Sequence, residues 1–194
     1  MTIPARYCRM FNVPAPLVRF LRAETAAMSI EAAIMLPIMM IMYIGAFSYF
    51  DAYRREAVIT KATYAIGDLL SREEGTVTAV DFEGLHDLYE TITFSEGATR
   101  LRFSEIRRVS GSLEVVWSYG TDGSTQLTTA TLGSVAAQVP TLLDNERIVV
   151  VESFNDYEPA FNVGLFARTQ MRFVPTRQRY AARLDYDASV PAPS

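Results

Sequence analysis

Hydrophobic residues are concentrated in one uninterrupted run near the start of the chain. Residues 32–50 carry no formal charge, and a helix that crosses a hydrocarbon core of about 30 Å needs about 20 apolar residues. The run is longer than the apolar segment of about 7–15 residues in a cleaved secretory signal, and no small-residue cleavage site follows it. We therefore predict a membrane-spanning helix over residues 26–50, preceded by an N-terminal tail over residues 1–25.

After this run, apolar residues recur at spacings of three and four, which is typical of an amphipathic helix. The helix is expected to continue over residues 51–75, with Gly75 as the stop signal. We expect its apolar stripe to dock on the C-terminal domain of the same chain rather than on a partner. The stripe consists of Val58, Ala62, Ala65, Ile66, Leu69 and Leu70.

Residues 76–186 change from helical spacing to alternation, which predicts an α+β domain. Residues 80–91 read as a second amphipathic helix, with His86 on its exposed face. Alternating runs predict strands joined by a tight turn at Ser110 and Gly111, and the continuous apolar run RIVVVESF predicts a central strand. The expected strands are 99–109, 113–119, 147–154, 170–174 and 179–184, with a short helix at 127–138 and a disordered tail at 187–194. The fold class is therefore α+β, with a long N-terminal transmembrane helix that continues into an amphipathic helix packed on a small antiparallel sheet.

Composition excludes several functions. The formal net charge is −4 and the pI is about 5.1, so there is no basic surface for nucleic acid. Cys8 is the only cysteine and His86 the only histidine, which excludes an internal disulfide and a histidine-rich metal site. A membrane span between Cys8 and His86 would also place them on opposite sides of the membrane, where they could not form a Cys–His dyad. Without a nucleophile elbow or a phosphate-binding glycine loop, we predict a non-enzymatic protein with no catalytic, metal or cofactor-binding residues and no small-molecule substrate.

Two residues of the span are candidates for assembly contacts. Glu31 opens the apolar run, where a carboxylate needs either interfacial water or a partner. It is either solvated at the interface or paired with a positive group of a neighbouring subunit. Pro37 removes one helical hydrogen bond, and it is either a tolerated proline or a bend needed for packing beside another helix.

The stretch SIEAAIMLPIMM, residues 29–40, resembles the TadE/TadG family of minor pilin-like proteins in bacterial Tad (tight adherence, Flp) pilus systems. The family's pattern of Glu, a short apolar spacer and Leu-Pro matches at Glu31, Leu36 and Pro37. Residues 50–73 resemble the helix that follows the membrane segment in the same family. This resemblance implies a pilin-like architecture, with membrane lipid, other Tad pilus subunits and inner-membrane platform proteins as partners.

The resemblance also implies an orientation and a processing site. Arginines flank the span almost equally, but ten Arg and no Lys stand against seventeen Asp and Glu beyond Arg72, which is compatible with export. We expect a single pass through the bacterial inner membrane, with a cytoplasmic N-terminus and a periplasmic or extracellular C-terminal domain. A prepilin cleavage point would fall between Ala26 and Ala27, but Ala26 stands where processed Tad prepilins have Gly, so we expect an unprocessed anchor.

The expected function is that of a membrane-anchored minor pilin-like structural or assembly component of a Tad/Flp pilus. The alternative is a membrane-tethered sensor or ligand-binding domain of the cell envelope. Glu31 and Pro37 favour the first hypothesis, because a simple tether requires neither residue.

Overall fold

The fold is α+β, with one long helix at its N-terminal end and a small antiparallel sheet, so the coarse fold prediction is confirmed. The computed structural model describes residues 24–95, 99–159, 161 and 164–191. Two compact units make up the chain, Met1–Ser48 and Tyr49–Ser194. The elements are α1 (Glu24–Ser71), β1 (Val77–Thr78), α2 (Ala79–Thr93), β2 (Thr99–Val109), β3 (Ser112–Gly120), β4 (Arg147–Tyr157), β5 (Arg168–Thr176) and β6 (Tyr186–Asp187).

Helix α1 contains both the predicted span and most of the predicted extension. It ends at Ser71, a turn earlier than Gly75, and the N–H groups of Arg72 and Glu73 close the end by donating to the Leu69 and Leu70 carbonyls. Residues 1–23 of the predicted tail, including Cys8, lie outside the described residues.

The C-terminal part of α1 packs on one face of the sheet, but with a different stripe from the predicted one. Ala62, Ile66 and Leu70 are buried, whereas Ala65 and Leu69 are exposed. At 100° per residue, Ala65 and Leu69 lie about 80–120° from the centre of the buried face. That face also includes Thr63, a polar residue that the apolar pattern could not select. The first core consists of Ala62, Ile66, Leu70, Val77, Phe82, Tyr89, Leu101, Phe103, Val149, Val151 and Leu184.

The four-stranded sheet has the order β3–β2–β4–β5, and every neighbouring pair is antiparallel. The β2–β3 hairpin turns at Ser110 and Gly111, both with positive φ (48° and 84°), which is the backbone of a two-residue hairpin turn and confirms the predicted turn. Strand β4 is central and buried on both faces, as its continuous apolar run predicted. Strand β5 lies at the edge of the sheet. Pro175 is tolerated there because an edge strand does not need every backbone N–H for pairing with a neighbour.

A second core covers the opposite face of the sheet. Most of its residues come from the irregular segment 121–146. This segment contains two short 3-10 helices, Leu132–Ser134 and Ala136–Gln138. The predicted α-helix over 127–138 is therefore wrong. Thr128 and Thr131 exchange side-chain hydrogen bonds with each other's backbone and compete with a regular helix. The second core consists of Ile106, Leu127, Leu132, Val135, Leu142, Ile148 and Val150.

The C-terminal segment also differs from its prediction. Residues 179–184 form no strand, because Leu184 uses its backbone to bond side chains: its carbonyl accepts from Trp117 Nε1 at 2.8 Å and its N–H donates to Glu105 at 3.3 Å. Strand β6 follows and pairs in parallel with β1. Asp187 is therefore part of a strand rather than the start of a disordered tail, and residues 192–194 lie outside the described residues.

Candidate functional site

Helix α1 is mostly apolar and is exposed all around from residue 28 to residue 43. Every residue from 28 to 43 is exposed, including Tyr43 at 75%. Among the described residues, this is the one helix long and apolar enough to cross a membrane. An exposed apolar surface several turns long is unfavourable in water, so this part of the chain is compatible with a single pass through a membrane.

Glu31 and Pro37 both lie on this exposed helix, but the helix does not bring them together. Six residues at 100° each place them about 120° apart around the axis and about 9 Å apart along it. Within the described part of the chain, Glu31 has no ion-pair or hydrogen-bond partner. Because Pro37 lacks an N–H, the Ala33 carbonyl one turn earlier is without its usual helical donor.

The predicted cleavage point between Ala26 and Ala27 falls in the first turn of α1. The backbone there is already helical, and the helix continues without a break into the apolar surface. Processing at this point stays a prediction.

His86 is buried, so its predicted placement on the exposed face of α2 is wrong. Its Nε2 lies 3.1 Å from both the carbonyl and the hydroxyl of Thr99, at the start of β2. Glu90, one turn further along α2, accepts the Thr99 hydroxyl at 2.8 Å, and Asp122 completes a group of three residues with ligand atoms within 4.8 Å of one another. Both His86 and Glu90 bond Thr99, so they hold the start of β2 against α2.

A buried carboxylate lies in the middle of β2, where Glu105 is paired with Trp117 of β3 on one side and Val149 of β4 on the other. Glu105 is almost completely buried, pairs with Arg147 Nη1 at 3.0 Å and accepts the Leu184 N–H. Burial raises the pKa of Glu105 above its ordinary value, and the Leu184 N–H and the Arg147 guanidinium partly oppose that shift. These contacts hold the C-terminal segment onto β2, which is a structural role.

A line of buried polar side chains, which we call the polar seam, runs between α1 and the sheet. Thr63 on α1 and Ser153 on β4 share a hydrogen bond of 2.9 Å. Burial raises the pKa of Tyr89, so its hydroxyl stays protonated and donates to Asn155 Oδ1 at 2.9 Å. Asn155 faces Gln170 directly across the β4–β5 pair. The seam consists of Thr63, Tyr89, Ser153, Asn155 and Gln170.

The polar seam opens at one end into a cavity of about 290 Å³. Asn155, Tyr157 and Gln170 line it from the sheet, and each is 5% exposed or less. The Asn155 Nδ2, the Tyr157 hydroxyl and both polar atoms of the Gln170 amide have no hydrogen-bond partner within the described residues. Residues of α1 line the rest of the cavity, among them Asp51, Arg54 and Arg55.

Sequence reasoning missed this cavity. Its only sequence signal is a set of polar residues at alternate positions of β4, Ser153, Asn155 and Tyr157, at the end of a strand that begins as an apolar run. Alternation places them on one face of the sheet. It does not show that α1 would cover that face.

Comparison of this chain with models of protein families, with curated proteins and with solved structures gave no match. The structure itself defines the class: an α+β protein with an apolar N-terminal helix of membrane-spanning length and a small antiparallel sheet.

Proposed function

We propose that this chain is a membrane-anchored, minor pilin-like structural or assembly component of a bacterial Tad pilus. The observation that carries the proposal is the exposed apolar surface of α1, near whose start Glu31 has no ion-pair partner among the described residues. A carboxylate in such a surface favours a partner. The Glu31, Leu36 and Pro37 pattern resembles that of the TadE/TadG family.

The course of α1 supports a pilin-like arrangement. The same helix that carries the apolar surface continues to Ser71, where it packs on an antiparallel sheet through Ala62, Ile66 and Leu70. One helix thus links a lipid-compatible segment with a folded domain. In the proposed topology, that domain lies outside the cytoplasm.

The proposed mechanism is assembly by contact rather than by chemistry. The apolar surface of α1 packs against lipid and against the helices of other pilus subunits or platform proteins. Glu31 pairs with a positive group there, and the bend at Pro37 sets the approach of the two helices. The cavity at the end of the polar seam favours the second hypothesis, an envelope ligand-binding domain.

The test is substitution of Glu31 in cells that depend on this chain for surface adherence. Glu31→Ala should abolish adherence while the protein stays at its normal abundance in the membrane, because Ala lacks the desolvation cost of the carboxylate and does not hinder insertion. Glu31→Gln, which keeps the shape but removes the charge, should have the same effect if an ion pair is lost.

Met40→Ala is the matched control. Met40 is exposed on α1 and lies nine residues from Glu31, about 180° around the helix. Adherence should survive this substitution. Wild-type adherence in both Glu31 variants would contradict the pairing role and return Glu31 to a solvated position at the interface.

A further inference from the structure

The group of His86, Glu90 and Asp122 places three metal-binding side chains around one point. His86 and Glu90 are four residues apart on α2, a spacing that puts both side chains on one face of the helix. Asp122 comes from the turn that follows β3, and the ligand atoms of all three residues lie within 4.8 Å of one another. Ligands that share one ion at bond lengths of about 2.0–2.4 Å are at most about 4–5 Å apart, so a single cation can contact all three.

Thr99 brings further oxygen atoms to the same point. The buried His86 Nε2 lies 3.1 Å from the Thr99 carbonyl oxygen and 3.8 Å from Glu90 Oε1. Because the Thr99 hydroxyl donates its proton to Glu90 and the carbonyl has none, this nitrogen faces only acceptors. Either a proton on Nε2 or a cation must therefore lie between the imidazole and these oxygens. In the tautomer that carries its proton on Nδ1, a bound cation takes the place of the Nε2 proton.

The negative charge of this group also favours a cation. In the described part of the chain, neither Glu90 nor Asp122 has a Lys or Arg as an ion-pair partner. The arginines at the start of β2 pair with Asp156 and Glu152 instead. With a neutral His86, the group has two negative charges, which one divalent cation neutralises.

The fold holds these side chains in place and leaves one side of the group open to solvent. Thr121 is fully buried beside Asp122, where its hydroxyl accepts the Leu101 N–H at 2.9 Å and its own N–H donates to the Leu101 carbonyl at 3.0 Å. These two hydrogen bonds fix the turn that carries Asp122 against β2. Asp122 is exposed and the Glu90 side chain is 30% exposed, so an ion can enter from solvent and keep water as a further ligand.

We propose that His86, Glu90 and Asp122 bind a divalent transition-metal ion, with Zn²⁺ as the preferred ion and the Thr99 carbonyl as a fourth ligand. An imidazole nitrogen favours zinc over Mg²⁺ and Ca²⁺, which prefer oxygen ligands. The single histidine of the chain excludes a histidine-rich site, but a mixed set of one imidazole and two carboxylates needs only one. The ion joins α2, the start of β2 and the turn after β3, so its role is to stabilise the fold. This inference does not depend on the proposed function.

The test uses the full-length chain in a neutral maltoside detergent, without a polyhistidine tag and with Cys8→Ala, so that neither a tag nor the only thiol of the chain binds metal. After treatment with EDTA and dialysis, the protein is titrated by calorimetry with zinc chloride and, separately, with magnesium chloride. The thermal unfolding temperature is followed in parallel, because a ligand that binds only the folded state raises it. We expect one Zn²⁺ to bind per chain and to raise the unfolding temperature, and Mg²⁺ to bind much more weakly.

Two variants each remove one carboxylate ligand. Asp122→Asn and Glu90→Gln should weaken Zn²⁺ binding by about tenfold or more, since the loss of even an outer-shell partner costs about 10–100-fold in metal affinity. Both should fold, because Asn tolerates the positive φ of Asp122 (47°) and the Gln amide oxygen still accepts the Thr99 hydroxyl. Asp87→Asn is the matched control. Asp87 is exposed on α2 next to His86 but lies outside the group, so this variant makes the same change in charge and should keep the Zn²⁺ affinity of the parent protein.

Each result decides the proposal. Zn²⁺ binding that is weakened in Asp122→Asn and Glu90→Gln but kept in Asp87→Asn supports it, and if one ligand variant does not fold, the other decides. Unchanged affinity in the ligand variants, equal loss in the control, or no Zn²⁺ binding to the parent protein would overturn the site. Binding of Mg²⁺ as tight as that of Zn²⁺ would overturn the assignment of a transition metal. The assay needs no pilus, so its failure leaves the Glu31 experiment unaffected.

Discussion

Ile66 is the residue on which the packing of α1 against the sheet is best tested. Its side chain is fully buried (0% exposed) in the first core. Truncation of a buried Ile to Ala removes the transfer free energy of the lost carbons and leaves a cavity, at a total cost of about 2–5 kcal/mol. For the unit Tyr49–Ser194, where 1 kcal/mol corresponds to roughly 2–4 °C, Ile66→Ala should lower the unfolding temperature by roughly 5–15 °C.

Leu69→Ala is the matched control, because the apolar pattern assigns Leu69 to the same stripe. The structure leaves Leu69 45% exposed, so its truncation should cost less than about 1 kcal/mol. Both variants are compared in a fragment that begins at Tyr49, by thermal and urea unfolding followed by circular dichroism. Equal losses from the two substitutions, or a larger loss from Leu69→Ala, would refute the buried face described here.

Two further predictions concern buried charges. Because the pKa of Glu105 is raised in the folded state, its contribution to stability is fully present below the unfolded-state pKa and is lost as the pH rises through the folded-state value. In urea unfolding at a series of pH values, the wild type should therefore lose stability across this window relative to Glu105→Gln, and parallel pH profiles would exclude the shift. Glu152 is almost completely buried and accepts two hydrogen bonds from Arg102, at 2.6 Å and 2.7 Å. Glu152→Gln should lower the free energy of unfolding by about 3–5 kcal/mol, because it leaves the Arg102 guanidinium without its carboxylate. The double variant Arg102→Met with Glu152→Leu should recover most of that loss in the same assay, and a double variant as unstable as the single one would show that the pair itself is not the cause.

The strands were predicted well where the local pattern matched the tertiary environment. The β2–β3 hairpin follows from alternation and from the Ser110-Gly111 turn, both of which are local properties. The run of apolar residues in β4 is explained by a central strand with a core on each face. The short parallel pair of β1 and β6 was missed, because two-residue strands leave no period in a sequence.

The errors on His86 and on the buried stripe of α1 share one cause, which is that polar residues lie inside the fold. His86 looks like a surface residue in its helix, but the Thr99 carbonyl and hydroxyl give it partners inside. Thr63 interrupts the apolar stripe of α1 and is nevertheless buried, because Ser153 from β4 satisfies its hydroxyl. A buried polar group is tolerated when it has a partner, and the partner in each case comes from a distant part of the chain.

The sequence by itself determined the long apolar helix, the α+β order of elements and the central strand, because each depends on a run or a period that is local. It also supplied Glu31 and Pro37 as the candidate assembly residues. Only the tertiary structure decided which face of α1 is buried and which polar residues lie inside. The cavity exists because α1 covers the end of β4 and β5, which brings Arg54 to Asn155, Tyr157 and Gln170. Contacts between residues about a hundred positions apart, such as Arg54 and Asn155, cannot be predicted from a local sequence pattern.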